Sequence, residues 1–128
     1  MPVNKLFGGS IETMRQALSL RQERQGLIQS NLANHETPGY TVQDFNFARV
    51  MQSAMTGQGE MDRTHAKHLS LDAVEASKTR EFADEARPVD LDEEMAKLAE
   101  NQLMYQVVAR LITKKFEGIR YAIDEGGK

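Results

Sequence analysis

Apolar residues recur at helical spacing near both ends of the chain and lose that spacing in between. From Leu91, steps of four and three reach Met95, Leu98, Gln102, Tyr105, Ala109, Ile112, Phe116, Ile119 and Ile123. Gln102 is the one break in that apolar run. A row kept for more than four heptads predicts a coiled-coil helix over 91–124. Asp90 with Glu93 makes an acidic capping box at its start, and Gly126-Gly127 marks its end. Near the other terminus, Ile11, Met14, Leu18, Ile28 and Leu32 follow the same spacing. Arg21 and Gln25 fall on this stripe and make its middle polar, while Ala17, Leu20 and Leu27 form a second stripe. A helix over 10–34 follows, with Ser10 as N-cap and Glu12 in the first turn, where the helix dipole favours an anion. Asn34 suits a left-handed stop and Pro38 bars continuation.

Residues 35–90 carry Thr37-Pro38-Gly39, Gly57-Gln58-Gly59 and Pro88, many charges and few apolar runs. Phe45, Phe47, Val50, Met51 and Met55 cluster closely enough to predict a short helix from Asp44 to Met55. His68-Leu69-Ser70-Leu71 reads as a short extended piece, and the two glycine pairs at 8–9 and 57–59 as hinges or loop tips. The expected fold is all-α and one domain over 1–128. Two long terminal helices form a coiled-coil-like pair, and the irregular middle segment contains a short helix. Two helices alone leave much of each stripe in water, so stripes this long call for copies of the chain or another protein to cover them.

Composition narrows the picture. The chain has 128 residues, 40% of them apolar and only 6% aromatic, with seven Met and no Trp. Its core is expected to be thin. There is no cysteine, which removes disulfides and thiolate chemistry. No run of 18 apolar residues occurs, so no transmembrane helix is expected. The opening Met-Pro-Val-Asn-Lys-Leu-Phe-Gly-Gly lacks the apolar centre of a cleavable secretory signal. The net charge of −3 argues against nucleic-acid binding. That charge is uneven. Residues 1–34 hold four Lys/Arg against two Asp/Glu, residues 35–90 six against ten, and residues 91–128 six against seven.

Candidate chemistry is sparse. His65 and His68, with Asp62, have a spacing that metal ligands use, but no further ligand set accompanies them, so no metal is expected. Asp90, Asp92, Glu93 and Glu94 are crowded enough for acid–base work or a cation site. They fit a helix N-terminus better, because anions are favoured there. Neither a phosphate loop nor a nucleophile elbow is present, and no catalytic residue and no cofactor are expected. Asn31 and Asn34 precede Pro38-Gly39-Tyr40. Pro38-Gly39 fits the centre of a type II turn, with Tyr40 packing its ring while its hydroxyl finds a partner. Both a plain helix stop and a stiff elbow aimed at a neighbour fit these residues.

The stretch Ser30-Asn31-Leu32-Ala33-Asn34-His35-Glu36-Thr37-Pro38-Gly39-Tyr40 resembles the N-terminal signature of bacterial flagellar axial proteins. Ala17 to Gln25, and Val89-Asp90-Leu91-Asp92-Glu93-Glu94-Met95 leading into Glu100 to Gln106, narrow the resemblance to the basal-body rod proteins. Thr64 to Leu69 resembles a middle stretch of that family. Ala86-Arg87-Pro88 replaces the family's usual Asp-Gly-Asn, and His35-Glu36 its usual Ala-Asp.

The resemblance implies a structural subunit of the proximal rod, part of a drive shaft transmitting torque, and no enzyme. It implies export without a cleavable signal through the flagellar type III apparatus, and a place in the periplasmic rod of the basal body. Partners would be further copies in a homo-oligomer, proximal rod proteins of the FlgC and FlgF types, and the rod-base adaptor FliE. The subunit-packing seam would comprise Leu18, Ile28, Leu32, Met95, Leu98, Gln102, Tyr105, Ile112, Phe116, Ile119 and Ile123. Asn31, Asn34, Pro38, Gly39 and Tyr40 would form a conformational elbow. Arg21, Gln25 and Gln102 are the polar positions that would set register. The alternative is a self-contained helical adaptor or export chaperone of the flagellar system.

Overall fold

A computed structural model describes residues 3–56 and 87–127. Three helices account for most of them: α1 (Val3–Ala33), α2 (Phe47–Thr56) and α3 (Leu91–Gly126). No strand occurs among the described residues. The fold is all-α, with two long terminal helices packed together and a short helix between them in sequence. At about 1.5 Å per residue, α1 and α3 span roughly 46 and 54 Å. Side chains pair Asn31 with Glu94, Arg21 with Asn101 and Ser10 with Lys115. Those pairs run in opposite chain directions, so the helices are antiparallel.

The start of α1 departs from expectation. The helix begins at Val3, which places Ser10 inside it rather than at its N-cap. Gly8 and Gly9 are helical too, not a hinge. Glycine costs only about 1 kcal/mol in a helix, unlike proline, so a Gly pair next to a long packed helix does not stop it. Glu12 then lies a few turns in and forms an i,i+3 pair with Arg15. Ser10 accepts a hydrogen bond from Lys115 of α3 instead of capping.

The other ends follow their residues. Asp90 has extended backbone, and its carboxylate accepts from the amides of Asp92 and Glu93. That satisfies two of the donors a helix start leaves over. Gly127 closes α3, donating to the carbonyls of Glu125 and Ile123. The short helix α2 begins at Phe47 and not at the expected Asp44, whose carboxylate is held by Arg24; Asn46 caps it, its side chain accepting from the amide of Arg49 at 3.0 Å. The core is small. Leu20, Phe45 and Val50 cluster, with Leu27, Phe47 and Met51 packed on them, between α1, α2 and the segment entering α2. Among the described residues, Ile28 and Val42 are the other buried apolar ones. Val42 donates to the carbonyl of Arg87 at 3.1 Å and so ties the two non-helical segments together. The extended piece at 68–71 and the glycines at 57 and 59 lie outside the described residues.

Candidate functional site

The end of α1 is locked by one side chain. Asn31 is fully buried. Its Nδ2 donates to the carbonyl of Gln43 at 2.7 Å and to Glu94 Oε2 at 3.0 Å. Its Oδ1 accepts from the amide of Gln43 and from the Tyr40 hydroxyl, both at 3.0 Å. Two donors and two acceptors are the whole capacity of an Asn amide. Asn31 thus pairs with the Gln43 backbone as a neighbouring strand would, and holds the returning chain against α1 and α3.

The turn between them is as the residues demand. Gly39 has φ 77°, and the Tyr40 amide bonds the Thr37 carbonyl at 3.2 Å. This is the type II geometry, in which a positive φ at the third position favours glycine. Asn34 closes the helix end, donating from Nδ2 to the Ser30 carbonyl at 2.8 Å and accepting from the Thr37 hydroxyl at 3.3 Å. Tyr40 Oη also lies 3.3 Å from Ser30 Oγ. The structure therefore brings Asn31, Asn34, Gly39 and Tyr40 into one clasp, with Pro38 exposed at its tip.

A charge cluster fastens the same region. Arg24 grips Asp44 in a two-pronged pair, with both N···O distances 3.0 Å. Asp44 Oδ1 also accepts from the Phe45 amide at 2.8 Å. Lys97 reaches Glu93 at 2.9 Å, Glu94 at 3.2 Å and Asp44 at 3.7 Å. Arg87 pairs with Glu93 at 2.6 and 2.7 Å. Burial works against the Lys97 charge, but the Glu93, Glu94 and Asp44 carboxylates outweigh it and raise its pKa. Burial likewise opposes the Arg24 charge, and Asp44, helped by Glu100 and Glu94, outweighs it. The bonds from Arg87 and then Lys97 hold the Glu93 carboxyl down to about 2. The acidic group at the start of α3 is thus divided. Asp90 caps, Glu93 bridges two cations, and buried Glu94 serves Asn31 and Lys97. Among the described residues no group of three His, Cys, Asp or Glu could hold a metal ion. His65 and His68 lie outside them.

Register between the long helices is set by a second asparagine. Asn101, 1% exposed, donates to the Arg21 carbonyl at 2.8 Å and to Gln25 Oε1 at 3.1 Å. Arg21 Nη1 is 3.5 Å from its Oδ1. The polar break in the α1 stripe meets a polar residue of α3, but that residue is Asn101 and not Gln102. Glu94 and Asn101, the two buried residues of α3, are seven apart. Val108 and Lys115, both half-buried, continue the same row.

The other seam residues fall into two groups. Leu98, Ile112 and Ile119 of α3 are half-buried beside that row, and Leu18, Ile28 and Leu32 of α1 are buried or half-buried. Met95, Gln102, Tyr105, Phe116 and Ile123 are exposed. Of these, Met95, Gln102 and Phe116 are separated by one heptad and then two, with half-buried Ala109 between the last two, and lie one residue round the helix from the buried row. Met104, Val107 and Leu111, spaced by three and four, are exposed as well. At 100° per residue they lie across the helix from Met95 and Phe116. The helix therefore presents one face to α1 and an exposed apolar flank on either side of it. Asn101 and Glu94 were missed as inward residues because a hydrophobic pattern assigns apolar side chains to the inside. Their signal was a pair of polar residues, Glu94 and Asn101, one heptad apart beside the apolar row.

No family model matches the chain. Full-length relatives fix the family. The chain is 32% identical over 123 residues to the flagellar basal body rod protein FlgB of Cereibacter sphaeroides, covering 91% of this chain and 95% of the relative. It is 29% identical over 129 residues to the protein of that name from Bacillus subtilis, covering 96% and 98%. With that of Salmonella typhimurium it shares 26% over 130 residues. Similarity running the length of both chains, over the clasp and both long helices alike, places this protein in the FlgB family of flagellar basal body rod proteins.

Proposed function

We propose that this chain is a structural subunit of the flagellar rod. The observation that carries the reading is end-to-end similarity to rod proteins combined with a long helix whose apolar flanks are uncovered. A rod subunit must give its strongest surface to its neighbours. Fully burying one Leu, Ile or Phe contributes about 1.5–3 kcal/mol before ordering costs. Five or more such residues along α3 would hold a stiff shaft capable of carrying torque. The packing seam in this reading is Met95, Tyr105, Phe116 and Ile123 toward neighbouring subunits. Leu18, Ile28, Leu32, Leu98, Ile112 and Ile119 act within the helix pair.

The finer assignments belong to the same proposal. The chain would sit in the proximal, periplasmic rod after type III export and work without catalysis. Its neighbours would be other copies, FlgC- and FlgF-type rod proteins, and FliE. The Asn31 clasp would act as the elbow that fixes where the chain leaves α1. No helix among the described residues is long and apolar enough to cross a membrane. Mass spectrometry of purified hook–basal bodies tests the reading. Recovery of the chain with the rod fraction is expected. Its absence there, with the free chain remaining in the cell, would overturn the rod role and favour an adaptor or chaperone.

A further inference from the structure

One buried cation of the helix pair lacks a proper partner. Arg21 is 8% exposed, and its Nε has no hydrogen-bond partner. Among the described residues it forms no ion pair and its one acceptor is the Asn101 amide oxygen at 3.5 Å, while its guanidinium lies 3.7 Å from the Phe47 ring centre. Burial and the nearby Arg24 charge both work against its protonated form, with only longer-range relief from Glu100. A buried guanidinium without a carboxylate is costly. Arg21 also lines an open notch of about 490 Å³ between α1 and α3, with Gln22, Gln25, Gln102, Tyr105 and Gln106.

The position of the notch says what covers it. Gln102 belongs to the exposed row of Met95 and Phe116, so a helix covering that row also covers the notch. The opposite flank of α3 carries Glu100, Met104, Val107 and Leu111 at spacings of four, three and four, all exposed. One flank is thus an apolar row with a cationic notch, and the other an apolar row headed by a carboxylate. The two rows are complementary and lie on opposite sides of one helix. We infer that the notch receives the carboxylate-headed flank of a second copy of this chain, whose Glu100 pairs with Arg21. The contact is head-to-tail, which propagates around a ring or along a helix rather than closing a dimer. This rests on the rod reading and assigns its copy-to-copy contact.

Two measurements test it. A small diazirine photo-crosslinking residue at Gln22, exposed on the notch rim, is expressed in the source cells in place of the natural chain. The expected adduct contains two copies and joins position 22 to a peptide holding Glu100. An adduct only to a different protein, or none in cells that still swim, overturns the inference. Recovery of the chain in rods alongside such a result would leave the rod role intact. In the purified full chain, Arg21→Met is expected to keep or raise Tm while copy-to-copy association falls by about tenfold or more. Arg21→Lys should retain part of that association. A fall in Tm with Arg21→Met while association is unchanged would make Arg21 a structural residue only. Gln106→Trp, which plugs the notch from an exposed position, should reduce association at unchanged Tm whether or not the Arg21 variants fold. Unaltered association with Gln106→Trp would also overturn the proposal.

Discussion

Replacing Asn31 removes four hydrogen bonds at once, because each of the two polar atoms of its amide meets two groups. Asn31→Leu would leave Glu94, already buried, without its amide donor. Unsatisfied buried groups cost about 1–3 kcal/mol each, so a loss of about 3 kcal/mol or more is expected in denaturant unfolding. Asn31→Asp should be worse than its near-identical shape suggests. It places a second carboxylate against Glu94, where the donor now stands at 3.0 Å. Gly39 makes a cleaner test of backbone alone. No atom lies within 4 Å of where its Cβ would be, so any cost comes from its φ of 77°. Gly39→Val is expected to destabilise by about 1–3 kcal/mol and Gly39→Asn by clearly less, since Asn tolerates that region. Equal effects would show that the turn relaxes instead of straining. The Pro38-Gly39 turn was legible from four residues in a row. The Asn31–Glu94 contact was not, because Glu94 lies 63 positions away and sequence spacing carries no sign of that meeting.

At the scale of elements, the start of α3 was the most legible part of the chain. Asp90 at the N-cap and a glycine pair at the end are local signals, and each was met by local geometry. The start of α1 was not, since Ser10 is a good cap by type but a helix passes straight through it. Capping residues mark where a helix can begin, and packing against α3 decides whether it begins earlier. The second half of the acidic capping box also went elsewhere. Glu93 gives its carboxylate to Arg87 and Lys97, and so ties the incoming segment to the first turns of α3. Its pKa is lowered to about 2 from an ordinary 4.5, so the folded state favours the ionised form. This contribution is complete above pH 4.5, fades as the pH falls, and is gone below about 2. The Tm difference between the natural chain and Glu93→Gln should therefore be largest near neutrality and close toward pH 2. Glu93 is 37% exposed, which limits the effect to about 1 kcal/mol or less and makes it sensitive to salt. A difference that persists at pH 2 would assign the stabilisation to something other than the ion pairs.

For the whole molecule, the long row on α3 had the right period, and its orientation is what sequence alone could not supply. Periodicity tells which residues share a face and not which neighbour the face meets. Antiparallel packing on α1 turns Glu94, Asn101 and Lys115 inward and leaves Met95, Gln102 and Phe116 one step round in water. The folded chain thus separates residues that hold its own helices together from residues available to other chains. Ile112 and Phe116 sit four apart and distinguish the two roles. Ile112 is half-buried against α1, whereas Phe116 is 54% exposed. Ile112→Asp should lower the Tm of the isolated chain, because it puts a charge into the helix pair. Phe116→Asp should leave the stability of the isolated chain within about 1 kcal/mol of the natural one and its Tm nearly unchanged, as a surface change does. Both variants should abolish rod assembly and swimming, the first by weakening the subunit and the second by removing a contact between subunits. Normal swimming with Phe116→Asp would mean that the exposed flank of α3 faces water in the rod as well. The packing surface would then have to be sought on α1 and the segment around the clasp.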